Sequence, residues 1–185
     1  MLVIGLQTSP NEDGLTAKAA KAALEGAKGA GAETELIHLR KQDIQACRAC
    51  EKGWGRCARE GLCIIEDDMQ ALRERLYQAD AIVLSTPVYF GEVSEVTKCF
   101  LDRVRRCERR MEGPSPLEGK PILCIAAAGG SGGGTLSCLE ILDRYCSHLH
   151  LRVFDNVPLM RRSREYMLAA LVEAGRALVE FARGA

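Results

Sequence analysis

Short apolar runs alternate along this chain with longer segments of helix-favouring composition. The apolar runs occupy residues 2–6, 35–39, 80–85, 121–126 and 151–157. Segments that favour helices follow them at about residues 16–30, 67–79, 94–110, 136–149 and 163–181. The first, third and fourth runs are apolar almost throughout, which is typical of strands that helices cover on both faces. Five alternations of strand and helix therefore predict a doubly wound α/β sheet. The pair Asp67-Asp68 is expected in the first turn of its helix, where carboxylates suit the helix dipole.

The length and composition are those of one folded domain covering residues 1–185. Of the 185 residues, 47% are hydrophobic and 27% are charged. A chain of this size buries about 70% of its unfolded surface and needs no disulfides to hold a core. No run approaches the roughly 18 apolar residues of a membrane span, and the first five residues lack the basic start of a secretory signal. We therefore expect a cytoplasmic protein with no membrane partner.

The charges balance, with 25 basic and 25 acidic residues and a formal net charge of zero. Domains that bind nucleic acid usually carry a marked basic excess, so no nucleic-acid partner is expected. One predicted helix nevertheless gathers five arginines, Arg103, Arg105, Arg106, Arg109 and Arg110. Such a cluster is usually a solvated face, although it could also dock an acidic electron carrier.

The nine cysteines are an odd number and are unevenly placed. Without an export signal they favour a metal or redox site over a disulfide framework. Five are scattered over predicted helices and strands and are expected to be structural, namely Cys99, Cys107, Cys124, Cys138 and Cys146. The other four lie in a glycine-containing segment at residues 41–65, namely Cys47, Cys50, Cys57 and Cys63.

The four clustered thiols could converge on one centre, as iron–sulfur clusters and structural zinc both require. Basic residues surround them at Arg48, Lys52, Arg56 and Arg59, and positive charge favours thiolates. The number of thiolates does not by itself choose the metal. An iron–sulfur cluster, zinc, and a loop without metal therefore stay open from the cysteines alone.

Three further loops are expected at the carboxyl ends of the strands, where ligands of such sheets bind. Residues 8–16 lead into a helix and offer hydroxyls and backbone N–H groups, and such donors at a helix start suit a phosphate monoester. The alternative is that Ser9 or Thr16 simply caps that helix. Residues 85–91 carry Tyr89 and Phe90, which could wall a planar ring or pack under a helix. Residues 126–134 contain a run of glycines that permits close backbone approach to a ligand, or forms a flexible turn.

Together these motifs resemble the iron–sulfur flavoproteins within the flavodoxin-like NADPH-dependent FMN reductase group. The resemblance covers nearly the whole chain. Its motifs are the loop at 8–16, the four clustered cysteines followed by residues 65–69, the segment 86–91 leading to 98–103, and the glycine-rich loop at 129–134.

The resemblance implies a flavodoxin-like five-stranded parallel sheet in the order 2-1-3-4-5, between two layers of helices. It implies FMN at the sheet edge, with its phosphate on Ser9, Asn11 and Thr16 in the loop that contains Gly14. The flavin ring and ribityl chain would lie beside Pro87, Val88, Tyr89, Phe90 and Gly91, and Ala128, Gly129 and Gly130 would close over the ring. The cluster would be [4Fe–4S], held by Cys47, Cys50, Cys57 and Cys63. No general acid or base is assigned.

The implied function is an FMN-containing oxidoreductase that exchanges electrons between flavin and cluster. Its partners would be NAD(P)H, a quinone or ferredoxin, and it would form a homodimer or homotetramer. Two other functions stay open: a cluster-free NAD(P)H-dependent FMN or quinone reductase, and a non-catalytic redox-sensing module that binds flavin or metal.

Three positions depart from the family pattern. Gly53 stands where the compact cysteine motif usually has its third cysteine, and Cys57 follows four residues later, so the path of the loop must differ. Asn11 and Leu15 stand where the phosphate loop usually offers Arg and Asn. Losing a charge-assisted donor weakens phosphate binding by about 1–3 kcal/mol unless another group replaces it.

Overall fold

The protein, described at residues 1–109 and 113–184 of a computed structural model, contains one five-stranded sheet. All four neighbouring pairs of strands are parallel, in the order β2-β1-β3-β4-β5. The strands are β1 (Leu2–Gln7), β2 (Glu33–His38), β3 (Ala81–Pro87), β4 (Pro121–Ala128) and β5 (Arg152–Met160). This order confirms the predicted flavodoxin-like sheet. The direction in which strands are added reverses at β1, which creates a crevice between β1 and β3.

The described ranges contain six α-helices, of which five cover the two faces of the sheet. The six are α1 (Leu15–Gly29), α2 (Arg56–Glu60), α3 (Met69–Tyr77), α4 (Glu95–Glu108), α5 (Thr135–His148) and α6 (Arg164–Arg183). The short α2 packs against α4. Helices α1 and α6 pack against one face, where Val3, Val83 and Leu171 are buried. Helices α3, α4 and α5 pack against the other face, around Ile4 and Phe100. Within the described ranges, no helix is both long enough and apolar enough to span a membrane.

Helix α3 begins at Met69, two residues later than the sequence predicts. The expectation that Asp67 and Asp68 belong to its first turn is wrong, because other groups engage both carboxylates. Asp68 accepts the backbone N–H of Asp43 at 2.7 Å, and Asp67 pairs with Arg103. The two carboxylates therefore fasten the segment after β2 to the body of the protein.

The scattered cysteines are core residues, as predicted. Cys107, Cys124, Cys138 and Cys146 are buried, while Cys99 is half-buried, and all five are free thiols. Burial raises the pKa of Cys107 to about 12 and that of Cys138 to about 11. These two side chains therefore remain protonated at neutral pH and act as small apolar residues.

Helices α1 and α6 approach each other through two glycines. A Cβ on Gly26 would lie 1.7 Å from the carbonyl oxygen of Val172, and one on Gly175 would lie 1.8 Å from that of Ala23. Neither contact is possible for a larger residue without separating the helices. We expect Gly26→Ala to lower the free energy of unfolding by at least about 1–3 kcal/mol, since overpacking forces backbone shifts.

Gly29→Ala, at the end of the same helix, is the matched control. Its Cβ would come no closer than 4.0 Å to the Arg176 guanidinium, so this change is expected to be neutral or stabilising by up to about 1 kcal/mol. Urea unfolding followed by circular dichroism measures both variants. Equal stability of the two would contradict the close approach of α1 and α6.

Candidate functional site

The carboxyl ends of β1, β3 and β4 bring three loops to one edge of the sheet. The first loop is fastened to β3 by Thr8, whose N–H donates to the Ser85 carbonyl oxygen at 3.1 Å. The third is fastened to β4 by Val88, whose N–H donates to the Ala127 carbonyl oxygen at 3.0 Å. The edge therefore forms a continuous surface, as predicted from the order of the strands.

The first loop is shaped by its own polar side chains. Ser9 Oγ accepts the N–H of Asn11 at 3.1 Å, and Asn11 Oδ1 accepts the N–H of Asp13 at 3.0 Å. Both side chains act here as acceptors, so the Ser9 hydroxyl hydrogen and the Asn11 amide NH₂ remain available as donors. The loop holds these donors at the start of α1.

Helix α1 begins without a side-chain cap. Its N-cap residue is Gly14, and its first turn contains no acidic residue. The first N–H groups of a helix lack partners within the helix and carry the positive end of its dipole. Thr16 is buried in this first turn, where its carbonyl oxygen accepts Ser85 Oγ at 2.9 Å. An uncapped helix start beside spare donors can bind an anion.

A buried cluster of hydroxyl groups lies beneath the first and third loops. Ser94 Oγ is 2.8 Å from Thr97 Oγ1, which is 3.2 Å from Thr86 Oγ1. Ser94 Oγ also donates to the carbonyl oxygen of Thr8 at 3.3 Å. This cluster ties both loops to the start of α4. Sequence reasoning missed it, because isolated Ser and Thr residues give no signal until the fold brings them together.

The third loop presents two aromatic rings on a tight turn. Tyr89 and Glu92 exchange two backbone hydrogen bonds of 2.9 Å, and the central residues Phe90 and Gly91 have φ of 51° and 82°. Positive φ is strained for a bulky residue such as Phe90.

The two rings of this turn face solvent, since Phe90 is fully exposed and Tyr89 is 41% exposed. Packing under a helix, the alternative left open by the sequence, is therefore wrong for both rings. Pro87, buried at the end of β3, and the half-buried Val88 form the base of this loop.

The glycines of the fourth loop serve two different purposes. A Cβ on Gly134 would lie 2.6 Å from Gly91 Cα, and one on Gly132 would lie 2.5 Å from Met160 Sδ. These two allow close packing within the protein. Gly129 and Gly130 follow the buried Ala128, and a Cβ on either would have no atom within 4 Å. Open space above this pair leaves room for a planar ligand.

A positively charged cavity of about 530 Å³ adjoins Gly129. Its other lining residues are the three cations Lys18, Arg161 and Arg164, the carboxylate Glu165, and the apolar Leu15 and Leu168. In the described part of the chain these three cations form no ion pair with a carboxylate, and with one acidic residue the lining keeps a positive excess. Sequence reasoning missed this cavity, because its walls lie more than 140 residues apart along the chain.

The four clustered cysteines line one pocket on the segment between β2 and α3. Cys47 is exposed, whereas Cys50, Cys57 and Cys63 are half-buried. Burial raises the pKa of Cys57, and the nearby Cys63 and Cys47 raise it further. Among the described residues, no three His, Cys, Asp or Glu side chains form a group that could hold a metal ion. The thiols thus surround a pocket without closing on a single point.

Helix α4 fastens the cysteine pocket to the rest of the protein. Arg103 Nη2 donates to Cys63 Sγ at 3.4 Å, and Arg106 Nη1 donates to the Gly53 carbonyl oxygen at 2.6 Å. Gly53 has φ of 90°, and a Cβ there would lie 3.2 Å from the Arg106 guanidinium. The positive φ and the nearby guanidinium therefore explain why a glycine stands at position 53, where the family pattern has a cysteine.

The expectation of a solvated basic face on this helix is wrong for Arg103, which is buried, whereas Arg105 and Arg106 are half-buried and Arg109 is exposed. Arg103 forms a buried ion pair with Asp67, and Arg106 contacts Gly53. The remaining described arginines also have partners, since Arg105 pairs with Asp102 and Arg109 contacts His150. Arg110 lies outside the described residues. Arg103 and Arg106 therefore organise the protein, while docking of an acidic electron carrier stays a prediction.

The Arg103–Asp67 pair is almost fully removed from water, with side chains 1% and 0% exposed. Burial alone would raise the pKa of Asp67, but hydrogen bonds from Arg103 and from the backbone N–H of Gln45 and Met69 hold it below its ordinary value. Burial would likewise lower the pKa of Arg103, and its bonds to Asp67 and Cys63 raise it. Both groups are therefore ionised at neutral pH.

The fold and its loop edge define a flavodoxin-like protein. Residues 1–163 match the NADPH-dependent FMN reductase family, and the chain belongs to that family. It is a flavin-dependent oxidoreductase, and its cofactor is FMN.

Two relatives and one solved structure illustrate this membership. An iron–sulfur flavoprotein of Methanocaldococcus jannaschii is 32% identical over 158 residues, which are 85% of this chain and 78% of that protein. Another from Methanosarcina thermophila is 29% identical over 150 residues, 81% of this chain and 74% of that protein. The NAD(P)H:quinone oxidoreductase from Methanothermobacter marburgensis shares the fold, with a TM-score of 0.73, 21% identity and 96% coverage of both chains.

Proposed function

We propose that this oxidoreductase holds FMN at the edge of its sheet and a [4Fe–4S] cluster in the cysteine pocket, and that electrons pass between them. The observation that carries the proposal is that α4 borders both places. Its start contributes Ser94 and Thr97 to the hydroxyl cluster beneath the flavin loops, and Arg103 further along contacts Cys63. Six residues separate Thr97 from Arg103, a rise of about 9 Å.

The phosphate of FMN would bind at the start of α1. Ser9 and Asn11 retain donors there, Gly14 leaves the helix uncapped, and backbone N–H groups around Thr16 complete the set. Hydrogen bonds to a charged acceptor are about twice as strong as those between neutral groups. The residues present therefore fit a phosphate monoester, although they include no arginine.

The flavin ring would lie between the aromatic turn and the glycine pair. Tyr89 and Phe90 present apolar area to solvent, and Gly129 and Gly130 leave open space opposite a backbone rich in N–H donors. Pro87, Val88, Gly91 and Ala128 complete the walls. Bound FMN supplies one- and two-electron redox chemistry, while the protein orients it and sets its surroundings.

The cysteine pocket offers the ligand type of both a cluster and zinc, and the similarity of the chain to iron–sulfur flavoproteins favours the cluster. A structural zinc ion needs four ligands within about 2.0–2.3 Å of one point, and the described residues provide no such group. A [4Fe–4S] cluster is held by four thiolates, one for each iron, so its ligands surround a larger body. Four thiols lining one pocket, with Arg103 and Arg106 beside them, fit that requirement.

We also propose that NADPH supplies the electrons and that its phosphate groups bind in the cavity beside Gly129. The cavity adjoins the open glycine pair and is lined by three cations against one carboxylate, Glu165; the cations, Lys18, Arg161 and Arg164, form no ion pair in the described chain. Such a cavity favours a ligand with several negative charges. NADPH carries one phosphate more than NADH, so the cavity should discriminate between the two donors.

Replacing Arg161 and Arg164 together with glutamine is expected to raise KM for NADPH about tenfold or more, because a charge-assisted phosphate contact is lost. The KM for NADH should change less, and kcat should be retained.

Arg176→Gln on helix α6 is the matched control for this double variant, since Arg176 is exposed and pairs with Glu173. Steady-state rates with both donors test this. Equal effects on both donors would contradict recognition of the additional phosphate of NADPH here, and rapid reduction by ferredoxin alone would point to a protein donor.

The apoprotein is expected to bind FMN more tightly than riboflavin, but by a modest factor. With no arginine in the first loop, the phosphate receives hydrogen bonds mainly from neutral donors, each worth about 0.5–1.5 kcal/mol net. Fluorescence titration with both flavins measures the difference. Equal affinities would mean that the first loop does not read the phosphate.

Anaerobic purification tests the proposed function as a whole. The protein should show flavin absorption together with a broad iron–sulfur band, and about four irons and four sulfides per chain. Flavin with zinc or without metal would overturn the cluster and favour the cluster-free reductase. Failure of NAD(P)H and of reduced ferredoxin to reduce the flavin would favour a sensing module, and a colourless protein would overturn the proposal.

A further inference from the structure

Arg103 joins helix α4 to both walls of the cysteine pocket. Its Nη1 donates to the Gln45 carbonyl oxygen at 3.1 Å, before the first clustered cysteine. Its Nη2 donates to Cys63 Sγ and to the Ile65 carbonyl oxygen, both at 3.4 Å, at the last clustered cysteine. Asp67 accepts from both nitrogens. One planar side chain therefore fixes the two ends of the segment that carries all four thiols.

The contact with Cys63 sets this thiol apart. Among the described residues, Cys63 is the one clustered cysteine whose sulfur accepts a hydrogen bond from a charged side chain. Arg103 is 1% exposed, so water does not screen its charge as it would at the surface. The guanidinium thus places a positive charge and an N–H donor directly on one sulfur.

A second donor of the same side chain has no acceptor. Arg103 Nε is buried and makes no hydrogen bond within the described chain. Buried N–H groups are nearly always paired, and an exception calls for an acceptor that the protein does not itself provide. Because this nitrogen belongs to the guanidinium that contacts Cys63, a sulfur-rich group in the pocket is a suitable acceptor.

We propose that Arg103 is a positioning residue that orients Cys63 and raises the reduction potential of the bound cluster. This inference rests on the proposed [4Fe–4S] cluster. One-electron reduction adds one negative charge to the cluster and its thiolates, with no bond formed or broken. A buried cation and N–H···S hydrogen bonds stabilise the more negative state, and hydrogen bonds to sulfur are a known determinant of cluster potentials.

Lysine could not replace arginine in this role. The guanidinium uses separate nitrogens for the Gln45 side and the Cys63 side of the pocket. A lysine ammonium is a single point charge on a flexible stem and cannot reproduce this planar fork. Arg103→Lys therefore keeps the charge near Asp67 but should lose part of the contact with sulfur.

The test compares cluster potentials of the anaerobically purified holoprotein and three variants. Arg103→Gln combined with Asp67→Asn removes the buried cation without leaving an unpaired carboxylate, and Arg103→Lys removes the fork alone. Arg105→Gln is the matched control, because Arg105 lies on the same helix but pairs with Asp102 and does not line the cysteine pocket. Reductive titration with dithionite, followed by electron paramagnetic resonance of the reduced cluster, gives each potential. Iron content and thermal unfolding are measured alongside.

The double variant is expected to need a more negative potential, with the reduced-to-oxidised ratio at fixed potential falling about tenfold, which is about 59 mV for one electron. Arg103→Lys should shift in the same direction by less, and Arg105→Gln should not shift. Iron-loaded variants of Arg103 with the wild-type potential would overturn this inference while leaving the proposed function intact. A wild-type protein that binds no iron would overturn both. If the double variant loses its iron, the cluster potential of Arg103→Lys provides the test: a more negative potential supports the inference, and the wild-type potential overturns it.

Discussion

Replacing Cys57 with alanine is expected to remove most of the iron from the protein and to leave FMN bound. The substitution deletes one of four thiols that line the cysteine pocket, and a [4Fe–4S] cluster is held by four cysteine thiolates. The proposed flavin site lies on other loops, so its occupancy should change little. Alanine is the better test, because the hydroxyl of serine could still act as a ligand. Iron, sulfide and flavin are measured per chain after anaerobic purification.

Cys99→Ala is the control for this loss of iron. Cys99 is also a half-buried free thiol, but it lies on α4 outside the pocket. This variant should keep both iron and FMN. Full iron content in Cys57→Ala would contradict the assignment of the pocket. Iron loss of similar size in both variants would show that unfolding, and not loss of a ligand, is responsible.

Replacing Asp67 with alanine is expected to lower the free energy of unfolding by about 3–5 kcal/mol, since removing one partner of a buried ion pair leaves an uncompensated charge. Arg103 would remain buried without its carboxylate. The backbone N–H groups of Gln45 and Met69 would also lose their acceptor. Urea unfolding of the variant and the wild type measures the loss, which is a large share of the stability of a typical domain.

Glu140→Ala provides the comparison at the surface. Glu140 pairs with Arg144 on α5, but the two side chains are 63% and 73% exposed. Exposed pairs contribute about 0–1 kcal/mol, so this variant should unfold almost like the wild type. A loss of the same size in both variants would contradict the role given to burial of the Arg103–Asp67 pair.

The stability supplied by Asp67 should also depend on pH. Its pKa lies below the ordinary value in the folded protein, so the carboxylate contributes stability above its unfolded pKa of about 3.9. That contribution is lost as the pH falls through the lower, folded pKa. The difference between wild type and Asp67→Ala should therefore be constant near neutrality and shrink below about pH 4.

The sheet could be predicted from the sequence because its signal is local. Residues 81–84, for example, are apolar throughout, and that pattern is typical of a strand covered by helices on both faces. The order of the strands came from resemblance to a known family and is confirmed. The loops after β1, β3 and β4 could also be located, since parallel strands place their carboxyl ends on one edge.

What the sequence could not show depends on partners that are distant along the chain. Asp67 left the first turn of α3 because Arg103, 36 positions later, pairs with it. The same contact buries Arg103, which the sequence suggested would be solvated. The cavity beside Gly129 needs Lys18 and Arg161 to meet across α1 and α6. Such pairings follow from tertiary packing and produce no periodic pattern in the sequence.

The glycines show the same limit within a single loop. Gly130 and Gly134 are indistinguishable in sequence, yet one faces open space and the other packs against the Gly91 backbone. Gly53 first appeared as a missing cysteine, whereas its positive φ and its contact with Arg106 explain it locally. The glycine-rich composition predicts that some group comes close to the backbone of these loops. It does not distinguish a bound ligand from another part of the protein.

The central claim is that one chain holds two redox centres, and anaerobic reductive titration tests it most directly. Dithionite is added in measured amounts to the holoprotein while the flavin and iron–sulfur bands are followed. The account predicts uptake of about three electron equivalents per chain, two by FMN and one by the cluster. Uptake of about two equivalents, with flavin bleaching alone, would contradict it.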